Sequence, residues 1–285
     1  MTPRAIVAVA VGAALWVGLV VPSVVLGGSS GVAAGGAPAG YVAGCVLSFS
    51  GDAGPITSTA GTYRNRADSA TVTAAAVSLA SAFQAFDWAT GGGLDTGAEA
   101  SSTWYATHLV EHTDGTDAIL LSTSASAPSE PSGMSSRRLL GWARNDGSSD
   151  LLQCIQAGDG TTRTMLYRGE TLALTAPFNV LSNGGGTVAT AVDCAGVVPP
   201  TQADVVLVGV LYTPSTGGLR IMHGDDTFAQ AYSGFVGGYS TENGARGNVQ
   251  ALRLDGDEDV QYFVASGAGA YIDVIGWVGV FDGSE

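Results

Sequence analysis

The sequence contains no lysine. All eleven basic residues are arginine, and against 25 acidic residues they leave a formal charge of −14. Without a lysine amine there is no Walker A phosphate loop, no kinase-type phosphate contact, no Schiff base and no pyridoxal-phosphate site. The acidic balance repels phosphate backbones and anionic lipid heads, which disfavours nucleic-acid binding as a main activity. Cysteine is restricted to Cys45, Cys154 and Cys194. Three residues allow one internal disulfide and lack metal-ligand spacing, so buried reduced thiols are expected. Charged side chains reach only 13% of the chain. Ser, His and Asp are all present, but nothing in their spacing identifies an activated nucleophile. A polysaccharide depolymerase would bring a long β-helical repeat, and no such repeat is found.

What is abundant is glycine, at 42 of 285 residues, together with many Ser and Thr. This composition fits a turn-rich all-β protein better than a helical one. The length allows one large or two ordinary domains.

Read in order, the chain opens with Ala5 to Leu26, an uncharged apolar run behind Arg4. Its length suits a membrane-spanning helix, and small residues follow to Gly40. A secretory signal cleaved near Ala37-Pro38-Ala39 is the rival reading. Residues 1–39 are therefore read as an apolar N-terminal anchor and linker. Tyr41 to Phe49, Ile56 to Thr59 and Gly61 to Asn65 read as short strands. Ala70 to Phe86 carries both helical spacing and β-branched residues, and is read as mainly strand to agree with its surroundings. Gly91-Gly92-Gly93 is expected to be a loop, because a phosphate cradle needs a helix N-terminus behind it.

From Thr103 to Gln156 the turns are strong and regular. Thr103 to Glu111 and Ala118 to Ser124 flank His112-Thr113-Asp114-Gly115 and predict a hairpin. Pro128 and Pro131 mark a loop or edge, Arg137 to Arg144 a third strand, and Leu151 to Gln156 a fourth, the whole reading as a β-meander. This module is placed at residues 40–165. Beyond it, strands recur between turns to Glu285, predicting a β-sandwich or jelly-roll-like domain over 166–285. Asp204 to Leu211 and Ile272 to Phe281 are apolar on both faces, so each needs cover on both sides, from a second layer or from another subunit.

The ordered set Gly92 to Gly97 (GGLDTG), Thr103 to Tyr105 (TWY), Asp114-Gly115, Leu121 to Pro131 (LSTSASAPSEP), Arg137 to Gly141 and Gln156 to Asp159 resembles a module of bacteriophage tail-fibre and other virion-appendage proteins. The likeness reaches upstream to about Gly40 and fades after Arg168. Two departures stand out: Gly141 lies one residue further from the arginine pair than in the module, and Cys45 and Cys154 take ordinary strand positions. The resemblance implies a non-enzymatic structural component of a phage-like virion, a tail or head fibre. Such fibres are commonly homotrimers; this one would join other virion structural proteins through its N-terminus and contact host cell-surface carbohydrate. The alternative is a membrane-anchored or secreted bacterial surface binding protein, with Ala5 to Leu26 in a bilayer.

Candidate sites are few. Tyr232, Phe235, Tyr239 and Asn243 lie in a glycine-rich stretch with spaced aromatics and polar tips, the best recognition loop in the sequence. Trp104 and Trp277 are expected to pack in the core instead. His108 and His112, four apart, are weighed as a metal pair and read as ordinary strand histidines. No cofactor is expected. The carboxylates of His223-Gly224-Asp225-Asp226 and of Asp255 to Asp259 are read chiefly as solvated turns, with a structural calcium ion as the other reading.

Overall fold

Apolar and polar residues alternate through most of the predicted strands, and that period of two decides which face each strand buries. The computed structural model describes residues 37, 40–51, 55–146, 150–158, 160–168, 178–200, 203–213, 219–223, 246–254, 257–264 and 269–281. Ala5 to Leu26 lies outside them. Among the described residues no helix is long and apolar enough to cross a membrane.

The described residues form strands β1 (Val42–Gly44), β2 (Leu47–Phe49), β3 (Ile56–Ser58), β4 (Gly61–Arg64), β5 (Thr71–Ala74) and β6 (Val77–Leu79). A single 3-10 turn (Trp88–Thr90) precedes β7 (Gly92–Leu94), β8 (Trp104–His112), β9 (Asp117–Ser122) and β10 (Met134–Arg144). Then come β11 (Cys154–Ala157), β12 (Thr162–Tyr167), β13 (Asn179–Gly184), β14 (Thr190–Asp193) and β15 (Ala203–Thr213). The last are β16 (Leu219–His223), β17 (Arg246–Arg253), β18 (Asp259–Val264) and β19 (Gly269–Val280). The fold is all-β, in several sheets whose pairing among the described residues is antiparallel but for β7 on β9 and one isolated bridge, Ala85 to Leu94. The ambiguous segment after Ala70 resolves as β5 and β6, with no helix.

The predicted hairpin is present as β8 and β9, with Glu111 opposite Asp117. Its turn closes through His112 N–H to Thr116 O at 2.8 Å, while Asp114 Oδ1 accepts from Thr116 N at 2.9 Å. The meander expected to follow is not the order found. The four-stranded sheet runs β10-β8-β9-β7, so β10 returns to the far side of β8 instead of lying beside β9. The crossing is made by residues 123–133, where Pro128 and Pro131 break any ladder. The edge of β9 is taken by β7 in parallel, so Gly92 to Leu94 is a strand and not the expected loop. Gly92 is required there: its φ is +122°, and a Cβ would lie 1.8 Å from Ile119 O. The fourth expected strand leaves altogether, because β11 pairs with β2 and β12 in another sheet.

That other sheet has nine strands, ordered β17-β15-β19-β12-β11-β2-β3-β6, with β13 also on β19. It joins strands from both sides of residue 165, and residues 36–285 form one contact unit. In β15 and β19 the side chains of Val206, Val208, Ile272, Val274 and Trp277 are buried. Their opposite faces, with Val205, Leu207, Ile275, Val278 and Val280, are half-buried. Two three-stranded sheets, β1-β4-β5 and β14-β18-β16, complete the described fold.

One core cluster runs from Val42 through Leu109 and Ile221 to Phe281, drawing on every sheet. The four-stranded sheet is buried on both faces. Leu109, Ile119 and Leu121 point into that main core, whereas Val110, Ala118 and Leu120 form a second, smaller cluster under Phe86, Trp88 and Met134.

Candidate functional site

Neighbouring residues on a strand point to opposite faces, and the Arg137-Arg138 pair on β10 shows the consequence. Arg138 points inward and is 1% exposed; its Nη2 donates to Gly40 O at 2.9 Å and to Phe281 O. Arg137 is paired with Val110 and donates through Nη2 to Ser126 O at 2.8 Å. One guanidinium ties Gly40 to Phe281, the residue that follows the last strand. The other lines a cleft.

A second inward guanidinium works like the first. Arg163, also 1% exposed, donates to Cys45 O at 2.7 Å, Gly44 O at 2.9 Å, Gly160 O at 3.1 Å and Gln156 Oε1 at 2.6 Å. Gln156 Oε1 also accepts from Leu47 N at 3.1 Å, and its Nε2 donates to Leu140 O. Leu140 sits where the β10 and β8 registers slip between Leu139 and Gly141. Leu140 is thus accommodated in a β-bulge, whose displaced carbonyl Gln156 satisfies. A side chain at Gly141 would press on Leu47 Cδ1 at 3.0 Å.

Asp95, in the GGLDTG run, is equally occupied. Its Oδ2 accepts from Ser122 Oγ at 2.7 Å and Ser129 N at 2.9 Å, and its Oδ1 from Thr96 N at 2.7 Å. This pins the crossing loop. On either side of that loop lies an open cleft, and Glu130 lines both.

The first cleft, of about 410 Å³, is lined by Asn65, Arg66, Glu130, Ser135, Ser136 and Arg137. The turn carrying Arg66 is fixed by Asn65 Oδ1, which accepts from Ser69 N at 2.9 Å and Ala70 N at 3.1 Å. Arg66 N donates to Arg137 O at 3.1 Å, so the two arginines are joined through their main chains. Arg137 Nη1 lies 3.4 Å from the exposed Glu130 carboxylate. Burial, then the like charge of Arg66, draws the Arg137 pKa below its ordinary value, with Glu130 opposing.

The second cleft, of about 430 Å³, includes Phe86, Asp87, Trp88, Thr96, Ser129 and Ser132. Trp88 meets Phe86 edge-on at 4.9 Å between centroids and donates through Nε1 to Ser132 O at 3.1 Å. Asp87 caps the 3-10 turn by accepting from Ala89 N at 3.0 Å.

The two β8 histidines do not form a metal pair. Four strand residues separate their main chains by roughly 13 Å. His108 is 1% exposed, and burial lowers its pKa to about 4, leaving a neutral ring. Its Nε2 lies 3.4 Å from Ser124 O, and its Nδ1 has no partner. His112 instead packs on Trp88, 4.9 Å between centroids, with Nδ1 2.9 Å from Asp114 Oδ1.

Tyr232, Phe235, Tyr239 and Asn243 lie outside the described residues, as do Asp225, Asp226 and Asp255. From the acidic run, Asp259 faces Asp193 across β18 and β14. Burial, then Asp193 and Asp259, raises the Glu258 pKa. Among the described residues no group of three or more His, Cys, Asp or Glu is placed to hold a metal ion.

Trp277 is buried as expected, at 1% exposure. Trp104 is half-buried, with Arg144 stacked over its ring at 5.5 Å and its Nε1 donating to Ala195 O at 3.1 Å. All three cysteines are buried and none is in a disulfide. Burial raises the Cys154 thiol pKa.

Sequence reading missed Arg66 and Arg163. The only local signal for Arg66 is the Arg64-Asn65-Arg66 triplet; its partner is 71 positions away. No family model, no curated protein and no solved structure matches the chain.

Proposed function

We propose that the chain is a structural, non-enzymatic component of a phage-like virion appendage, a tail or head fibre. On this reading it assembles as a homotrimer, joins other virion structural proteins through its N-terminal segment, and meets host surface carbohydrate. The observation that carries the reading is how the ordered motif uses its polar residues. Asp95, Arg138 and Gln156 direct their side chains onto main-chain and hydroxyl groups of their own chain. Groups so committed brace a scaffold and are not disposed around a reacting centre.

The trimer is supported by the outward faces of β15 and β19, where Val205, Leu207, Ile275 and Val278 stay half-buried in the single chain. A second subunit on that face would remove apolar area from water. The same reading takes β14, β16 and β18 as one layer of a sandwich and β15, β17 and β19 as the other, since both contribute to the main core.

Fractionation tests the assignment. The protein should travel with particles through a density gradient. Recovery from membranes only after detergent extraction would replace this reading with the anchored surface protein.

A further inference from the structure

We propose that residues 123–133, which carry the chain from β9 to β10, are a strap that acid releases, with the His108 ring as its latch. Such a device goes beyond the reading above and does not depend on it.

The strap is fastened by polar contacts at separate points. Within it Pro128 alone is buried, and most of the other residues are exposed, so little apolar area holds it down. His108 Nε2 lies 3.4 Å from Ser124 O, and Arg137 Nη2 donates to Ser126 O at 2.8 Å. Ser129 N donates to Asp95 Oδ2 at 2.9 Å, and Trp88 Nε1 to Ser132 O at 3.1 Å. The β10 ladder on β8 starts only at Met134, beyond the strap. A segment with few apolar contacts and a ladder of its own neither before nor behind it opens locally while the sheets stay closed.

The latch is set by where a proton can go. His108 is 1% exposed, paired with Leu120 on β9 and Leu139 on β10. A carbonyl only accepts, so the ring meets Ser124 O with an Nε2–H and is left with Nδ1 as a bare acceptor. Nδ1 is buried and has no hydrogen-bond partner among the described residues. A second proton must go there, where its N–H would be buried without an acceptor. Charge weighs on both sides. Arg137 on β10 and Arg66 in the β4–β5 turn oppose an imidazolium, whereas Asp95 after β7 favours one. Glu130, in the strap itself, lies 3.4 Å from Arg137. Burial outweighs Ser124 O and Asp95, and the pKa of the closed ring falls from 6.5 to about 4.

Lifting the strap returns the ring to water and to its ordinary range. The open form then takes up a proton that the closed form refuses, so falling pH draws the strap open.

The test is amide hydrogen exchange on the full chain between about pH 7 and pH 4.5, corrected for intrinsic exchange rates. Ser124, Ala127 and Ser129 report the strap, since their N–H groups donate to Ser122 Oγ, Ser124 Oγ and Asp95 Oδ2. Their protection should fall at least about ten-fold over that range, while the β15 amides keep theirs. His108→Gln retains an N–H donor for Ser124 O and does not titrate, so its strap should be equally protected at both ends of the range. Three results would overturn the device: strap protection that is flat with pH, a loss that His108→Gln reproduces in full, or a loss shared equally by β15. The His108 ring signal in the unmutated chain gives a reading that needs no variant. It should stay neutral to about pH 5 while the strap amides remain protected, and a ring that charges near pH 6.5 with the strap closed would also overturn the device.

Discussion

The segment around β2, β10, β11 and β12 and the pair β15–β19 are both buried, yet they are held in different ways. In the first, Arg138, Arg163 and Gln156 reach main-chain carbonyls up to 143 positions away, and each bond has one partner. In the second, Val206, Val208, Ile272 and Val274 repeat one apolar type at alternate positions along an eleven- and a twelve-residue strand. Directional bonds fix which strand goes where. Alternation fixes only which face is inside, leaving register to the length of the ladder. The first region should therefore fail abruptly and the second by degrees.

The largest effect is expected at Gly92. An alanine there drives its Cβ into Ile119 O and should cost about 4 kcal/mol or more. At Gly97, where φ is +78° but nothing lies within 4 Å, alanine should cost only about 1 kcal/mol. Equal losses on chemical denaturation would show that β7 does not sit against β9 as described.

Next comes Arg163→Met, which removes the guanidinium shared by Gly44, Cys45 and Gly160 and should cost about 3–5 kcal/mol. A loss below about 1 kcal/mol would mean that water replaces the clamp and the contrast between the regions is false.

The pH dependence of His108 is of similar size. Its pKa falls from 6.5 to about 4, so between those values the unfolded chain binds more protons than the folded one. Its stabilising contribution is complete above about pH 6.5 and is lost as pH falls toward 4, on the order of 3 kcal/mol. His108→Gln should flatten stability across that window; an unchanged slope would assign it to other groups.

The smallest changes belong to the apolar ladder. Ile272→Val should cost about 1 kcal/mol with the fold intact. Glu258→Gln should raise the melting temperature slightly at pH 7, because a carboxyl whose folded pKa is raised weakens the fold above its ordinary range. That gain should vanish as pH falls toward about 4, where the parent carboxyl is protonated too. A gain that persisted there would not be electrostatic.

The same contrast explains what could be read from the sequence. The β8–β9 hairpin was legible because its turn and both strands lie within about twenty residues, and Asp114-Gly115 marks the reversal. So were β15 and β19, through unbroken apolar runs. The crossing of β10 behind β8 was not legible, since the loop at Pro128 and Pro131 allows either side of the sheet. Nor was the parallel seat of β7, because Gly92 and Gly93 carry no side chain to declare a face. The cleft lined by Arg66 and Arg137 depends on their main chains meeting, which only the folded order of β4 and β10 brings about. The recognition stretch Tyr232 to Asn243 lies outside the described residues.

The central claim is that the outward face of β15 and β19 is the seam of a fibre. Light scattering coupled to size exclusion gives the absolute mass of the full chain in solution. A stable particle of three chain masses is predicted. A folded protein of one chain mass, unchanged on concentration, would contradict the account.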